Sequence, residues 1–405
     1  MILRSHSDRA TRLAVSVLAA GLWLATGSVL EAAALSEGVP YFTRVSGTVS
    51  VPAEISDHVM LVTVTINGQG PFRVIVDTGC SLTVISPQLA EAVHAKARDS
   101  DVSLWGGING LGDVTDFQPV MLDTLDLGGA QFEMVPAVVS DTFTDVSAID
   151  GRRIDGLLGY TLFHDLFLSL DVPNKRLLLS RDWPGGLPPV CTSLPVIEHG
   201  DVPFVNVEIQ QKTVEVMVDT GANQALHLPP EIAAGLQWKT VPRIGELVAV
   251  VGEVAREQIG RLAGSLQLGS LQQVEPAAVI SSGAPSLGLR SLENYCVVFH
   301  SPENRLWLCC SSAAPILPSP VRSVGLSLFS DQGGWRIAGV IPGSPAESAH
   351  LTPGELVTSL EGRPVTAWTR DQMNQWLDDH ATLSLMVSDN SDSRRVTLPV
   401  WDLVP

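Results

Sequence analysis

The chain lacks most of what would point to metal, redox or nucleic-acid chemistry. Its 405 residues hold only five cysteines, Cys80, Cys191, Cys296, Cys309 and Cys310, too few and too scattered for a disulfide framework. A single bridge between Cys191 and Cys309 or Cys310 and a set of buried free thiols both remain open. The nine histidines are isolated, and neither His-Glu-x-x-His nor Cys-x-x-Cys occurs, so no metal site and no cofactor is expected. Basic residues are scarce as well: 25 Lys and Arg face 43 Asp and Glu, a net charge of −18. That acidity argues against nucleic acid or an anionic membrane surface as partner. Only one long apolar run exists, Leu13 to Leu24, preceded by Arg4, Arg9 and Arg12 and followed by Ala32-Ala33-Ala34. Residues 1–34 therefore read as an export signal. Extended to Leu30 the run nears spanning length, which leaves an uncleaved anchor as the alternative and the only expected membrane contact. Either way the body of the protein is expected outside the cytoplasm, periplasmic or extracellular.

What is present is a repeat. Asp-Thr-Gly occurs at Asp77-Thr78-Gly79 and again 142 residues later at Asp219-Thr220-Gly221, each time directly after an apolar, strand-like run, Phe72 to Val76 and Val214 to Val218. One such triplet usually means a turn and nothing more. Here the surroundings repeat too. Gly112-Asp113-Val114 is answered by Gly252-Glu253-Val254, Leu125-Asp126-Leu127-Gly128 by Leu266-Gln267-Leu268-Gly269, and Val135-Pro136-Ala137 by Glu275-Pro276-Ala277. Further on, Leu158-Gly159 matches Leu287-Gly288 and Arg176-Leu177 matches Arg305-Leu306, now 129 residues apart. The change in spacing places about eleven extra residues in the first copy, most simply in the polar stretch 140–153. Two carboxylates in matching contexts suggest one paired site. Two acids a few Å apart cannot both ionise, so they share a proton; one then serves as base towards water while the other polarises a carbonyl.

The coarse pattern is mainly β. Short segments rich in Val, Leu and Phe, such as Val59 to Ile66, Phe167 to Leu170 and Leu177 to Leu179, are separated by Gly, Pro and Asn turns. Brief helices are predicted over 87–97 and 229–236, each opening on proline at equivalent places after the triplets. The Pro- and Gly-rich stretch 181–190 reads as a connector, and 311–322, with Pro315, Pro318 and Pro320, as a linker. The domains expected are then 41–180, 191–310 and 323–402.

Taken together, residues 57–310 resemble two retropepsin-type lobes fused in one chain, the arrangement of pepsin-like aspartic proteases. The resemblance rests on the two apolar strands ending in Asp-Thr-Gly, the polar residues Ser81 and Asn223 that follow, and the later segments Leu157-Leu158-Gly159 and Ser286-Leu287-Gly288. It implies a bilobal, acid-protease-like double β-barrel in which Asp77 and Asp219 are the catalytic pair. Thr78 and Thr220 would hydrogen-bond across the lobe interface. Gly79 and Gly221 would allow a close turn. Ser81 and Asn223 would donate to the outer carboxylate oxygens, although Asn departs from the Ser or Asp usual there. The glycine-rich run Gly106, Gly107, Ile108 and Gly110 is similar to a flap tip. His227 falls where the first copy has Ile85.

The last eighty residues are similar to a bacterial PDZ domain, through Val324-Gly325-Leu326-Ser327-Leu328, Val340-Ile341-Pro342-Gly343 and Leu360-Glu361-Gly362-Arg363. That implies a groove where an extended peptide or protein C-terminus adds as a strand, contacted by Gly325, Leu326, Ser327 and Leu328, with the helix predicted over 370–378 as its other wall. The expectation is an exported aspartic endopeptidase acting on polypeptides without metal or cofactor. The alternatives are an inactive peptide-binding scaffold built from the same parts and, more remotely, a structural envelope protein.

Overall fold

A computed structural model describes residues 42–97, 118–140, 148–149, 152–250, 253–331, 334–389 and 392–405. The protein is mainly β and bilobal. In the first lobe the strand Gln69–Asp77 is central: it runs antiparallel to Val59–Ile66 on one side and parallel to Gly156–Gly159 on the other. Its last apolar residues, Val74, Ile75 and Val76, are all at most 1 % exposed. A strand covered on both faces reads as a continuous apolar run, which is why the sequence shows no alternation just before Asp77.

The second lobe repeats the arrangement. Lys212–Asp219 pairs antiparallel with Val202–Ile209 and parallel with Ser286–Gly288. In both copies the glycine segment crosses beside the end of the central strand, with Gly159 opposite Asp77 and Gly288 opposite Asp219. Only glycine fits there. A Cβ on Gly159 would lie 2.3 Å from the Leu82 carbonyl carbon, and one on Gly288 would lie 2.1 Å from the Gln224 carbonyl oxygen.

The two lobes share a seam of six antiparallel strands. Thr48–Pro52, Arg176–Ser180 and Phe167–Asp171 come from the first half; Cys296–His300, Arg305–Cys310 and Val190–His199 come from the second. The halves meet where Leu168 faces Phe299 and Leu170 faces Val297. One apolar cluster runs from Val51 through both lobes to Leu308, so the lobes share a core instead of touching at a polar surface. A disulfide joins Cys191 to Cys309, which face each other on neighbouring strands of the second half; Cys80, Cys296 and Cys310 are free.

Residues beyond the linker form a separate sheet of six strands with its own core, including Leu326, Leu328, Ile337, Val357, Leu360 and Leu385. The helix Arg370–Asp379 carries a capping box between Thr369 and Gln372 and buries Met373 and Leu377 against that core. Strand Leu326–Asp331 ends the sheet order.

Two helix boundaries differ from the sequence reading. The first ends at Ala92, because His94 takes φ 51° and Lys96–Ala97 turns back to pair with Met121 and Val120. The second covers only Pro230–Ala233, its cap residue Ala234 lying directly before Gly235. The stretch 1–34, the run 106–110 and most of 140–153 lie outside the described residues.

Candidate active site

The two Asp-Thr-Gly turns meet at the lobe interface and hold each other. The backbone N–H of Thr78 donates to Thr220 Oγ1 at 3.1 Å, and that of Thr220 donates to Thr78 Oγ1 at 3.1 Å. Each hydroxyl in turn donates across the interface, Thr78 to the carbonyl of Val218 at 2.6 Å and Thr220 to that of Val76 at 2.8 Å. Both threonines are fully buried. All four groups would be costly to strand without partners, so the network fixes the two turns in one relative position. The pairing predicted for Thr78 and Thr220 is therefore present on both sides of a local two-fold.

The glycines bring the carboxyls together. A Cβ on Gly79 would sit 2.4 Å from Asp219 Cγ, and one on Gly221 would sit 2.4 Å from Asp77 Cγ. Each turn thus packs its glycine against the opposite acid. Asp77 and Asp219 are each 1 % exposed. Asp77 Oδ1 accepts from Gly79 N–H at 2.9 Å, and Asp219 Oδ1 accepts from Gly221 and Ala222 N–H at 3.0 and 3.1 Å.

Burial pushes both acids upward. Asp77 rises to about 6, held back by the N–H of Gly79 and by its hydrogen bond with Asp219. Asp219 is raised well above the ordinary carboxylate range, by burial first, then by the charge of Asp77 and the hydrogen bond between them. The same hydrogen bond lowers one acid and raises the other. Burial and mutual repulsion therefore favour a pair that shares a proton around neutrality.

The outer oxygens correct one expectation. Asp77 Oδ2 and Asp219 Oδ2 carry no protein hydrogen bond, so neither Ser81 nor Asn223 donates to them. The Asn223 amide is drawn instead to Asp57 Oδ2 at 3.4 Å. Ser81 is tied through its backbone, its carbonyl accepting from the Thr161 hydroxyl at 2.5 Å and the Thr161 N–H at 3.2 Å. Cys80 is half-buried, its thiol pushed upward by burial and by Asp77 and donating to the Leu82 carbonyl at 3.2 Å. It is a poor nucleophile in that setting.

Asp57 is a participant the sequence did not reveal. It sits in a tight turn before Val59–Ile66, with φ 49° followed by φ 55° at His58. Its N–H donates to Asp371 Oδ1 at 2.9 Å, in the first turn of the C-terminal helix. A chain of contacts thus runs from the Asp219 turn through Asn223 and Asp57 to the last module. Nothing in the spacing of a lone Ser-Asp-His turn signals this.

The flap expected at Gly106, Gly107, Ile108 and Gly110 lies outside the described residues. Its counterpart in the second lobe is a long hairpin, Trp238–Val250 and Glu253–Leu262. In the last module, Leu326 and Leu328 point into the core, at 2 and 1 % exposure, and Ser327 is also buried. Gly325 has φ 89°, and its N–H is taken by the Ser323 hydroxyl at 2.9 Å. On the backbone of that strand, Arg370 donates to the Leu328 carbonyl. Among the described residues no group of three or more His, Cys, Asp or Glu side chains is arranged to hold a metal ion.

Two buried carboxyls on interlocked turns at the junction of paired β lobes define an aspartyl protease fold. Residues 62–162 match the family model described as aspartyl protease, which covers the first turn, the segment 98–117 and Gly156–Gly159. Among solved structures, the aspartic proteinase from Irpex lacteus aligns over 66 % of this chain and 98 % of its own, at 16 % identity and a TM-score of 0.44. No curated protein matches the chain.

Proposed function

We propose that the protein is an exported aspartic endopeptidase in which Asp77 and Asp219 activate a water between them. The observation that carries this reading is the symmetric lock of Thr78 and Thr220 around two buried, adjacent acids. One carboxylate of the pair takes a proton from the water as its oxygen attacks the peptide carbonyl carbon. The other, protonated carboxyl donates its proton to the carbonyl oxygen. The outer oxygens, free of protein donors, are the atoms that meet water and substrate. Residues 323–402 are a PDZ-like module whose edge strand Leu326–Asp331 accepts a polypeptide segment. Denatured casein should be cleaved by the mature protein, and pepstatin should stop the cleavage.

The inactive-scaffold reading is favoured by one feature, the diversion of Asn223 away from Asp219. If casein stays intact while pepstatin still binds, that reading replaces the first.

A further inference from the structure

The second lobe buries a polar chain where the first lobe is apolar. Ile85 in the first copy is core, 1 % exposed, yet its counterpart His227 is a histidine at 6 % exposure. Two carbonyl oxygens flank its ring: Nδ1 lies 2.8 Å from the Ala284 oxygen and Nε2 lies 3.1 Å from the Ser281 oxygen. Nε2 is also 2.9 Å from the Ser281 hydroxyl. That hydroxyl lies 3.5 Å from Glu257 Oε1, and the same carboxyl oxygen accepts from the Gln224 amide. Glu257 is 5 % exposed on the second hairpin, and Gln224 belongs to the turn that carries Asp219. Four elements are thus joined: the Asp219 turn, the hairpin, the strand Leu226–Leu228 and the end of Ala277–Ile280.

A buried polar chain costs stability unless every member is satisfied, and here the donors and acceptors allow only certain proton positions. With His227 as a cation, both ring N–H groups donate, the Ser281 hydroxyl donates onward, and Glu257 is an anion with two donors. With His227 neutral, Nδ1–H keeps Ala284 while Nε2 accepts from Ser281; Glu257 loses that donor and must hold the proton itself. The two arrangements differ by a concerted shift. The His227 Nε2 proton passes to Ser281 Oγ as the Ser281 proton passes to Glu257, so one proton changes ends and no charge is gained or lost.

We propose that His227, Ser281 and Glu257 form a proton-sharing relay that positions Gln224, and through it the Asp219 turn, against the second hairpin. Gln224 and Glu257 are then positioning residues for substrate held under that hairpin. Burial raises Glu257 to about 7 and lowers His227, which favours the neutral arrangement near neutrality. Above that pH the relay loses its proton, and Glu257 becomes a buried anion without a cation. Gln224 and Ser281 are the groups facing Glu257, and His227 lies beyond Ser281. On the partner strand, Arg243 is engaged over the Trp401 ring; on its own strand, Arg256 is exposed and Arg261 is bound to carbonyls. Among the described residues neither Glu257 nor His227 has an ion-pair partner.

The structural half is tested without activity. In protein labelled with 15N at histidine and glutamine, the His227 ring and the Gln224 side-chain amide should titrate with one common midpoint. Glu257→Gln should abolish that step at Gln224, and Ser281→Ala should separate the two midpoints. The kinetic half rests on the peptidase reading. With a fluorogenic peptide chosen from a casein digest, KM of the native enzyme should rise about tenfold as Glu257 ionises, because the anion draws the Gln224 amide harder and shifts the turn from its substrate-holding position. In Glu257→Gln, which keeps the neutral form, KM should stay flat while the pH course of kcat is unchanged. Independent midpoints for His227 and Gln224, or identical KM profiles in native enzyme and variant, overturn the relay. Should Glu257→Gln fail to fold, Ser281→Ala carries both arms. If the native protein cleaves no peptide, the peptidase reading falls while the magnetic-resonance arm alone decides the relay.

Discussion

At the scale of single residues, the paired acids set function against stability. A carboxyl raised in the folded state contributes stability that is fully present below its unfolded value and is lost as pH rises through the folded value. For Asp77 that window runs from 3.8 to about 6, and Asp219 extends it upward. Asp77→Asn or Asp219→Asn should therefore abolish peptide hydrolysis while making the fold roughly 1–3 kcal/mol more stable at neutral pH. The gain should vanish near pH 4, where the native acids are protonated too. Thermal melting of both variants across this range checks the sign, and a variant that is less stable at neutral pH refutes it. The threonines behave oppositely. Thr220→Val strands the Thr78 N–H and the Val76 carbonyl in the interior, at about 1–3 kcal/mol for each group, so urea unfolding should shift accordingly.

These residues also show how far the sequence could be read. The triplets, their spacing and the matching Leu158-Gly159 and Leu287-Gly288 segments led to the pair, the lock between Thr78 and Thr220 and the crossing strands. Their placement was legible because the pattern there is local and written twice. Ser81 and Asn223 were assigned by position alone, and there the prediction failed. A side-chain amide bonds whichever acceptor the tertiary structure brings near, and Asp57 arrives from another loop. His227 was noticed as a lone histidine, but its link to Glu257 depends on a hairpin folding back over the Asp219 turn, which no local pattern records.

At the scale of elements, the crossing segments explain why each lobe needs its glycines in place. Gly288→Ala would drive a methyl into the Gln224 carbonyl, and Gly159→Ala would drive one into the Leu82 peptide. Backbone cannot swing aside as a side chain can, so both turns would shift. Because the turns hold the acids, activity should be lost by more than the stability, which would fall by about 1–3 kcal/mol. Steady-state rates measured beside melting curves separate the two effects. Activity falling only as far as the folded fraction falls would mean that the crossing segments serve the fold alone. The same elements shape the pH profile. Both limbs of a bell-shaped rate curve belong to the pair, not to either acid, and chelators should leave it unchanged. Loss of activity with EDTA would refute a metal-free mechanism.

At the scale of the whole molecule, the last module is docked onto the second lobe and not merely tethered by 311–322. Arg261, on the second hairpin and 2 % exposed, donates to the carbonyls of Glu275, Ser319, Val404 and Pro405. Beside it Ile259 packs with Ile341, Leu403 and Val404. A guanidinium with its donors spread over four carbonyls from the lobe, the linker and the chain's last residues fixes all three together. Arg261→Ala should remove that fixation, because alanine leaves those carbonyls without a donor and opens a path for water. The module has its own core, so it should stay folded while its orientation relaxes. We expect faster proteolytic nicking within 311–320 and a larger radius of gyration by solution scattering. If the module presents polypeptide to the cleft, the variant should cleave a short peptide at the native rate and a protein substrate more slowly, since only the latter gains from the raised local concentration. Equal losses on both substrates would instead make the module a brace for the second hairpin. Unchanged rates on both would assign it to a partner unconnected with cleavage.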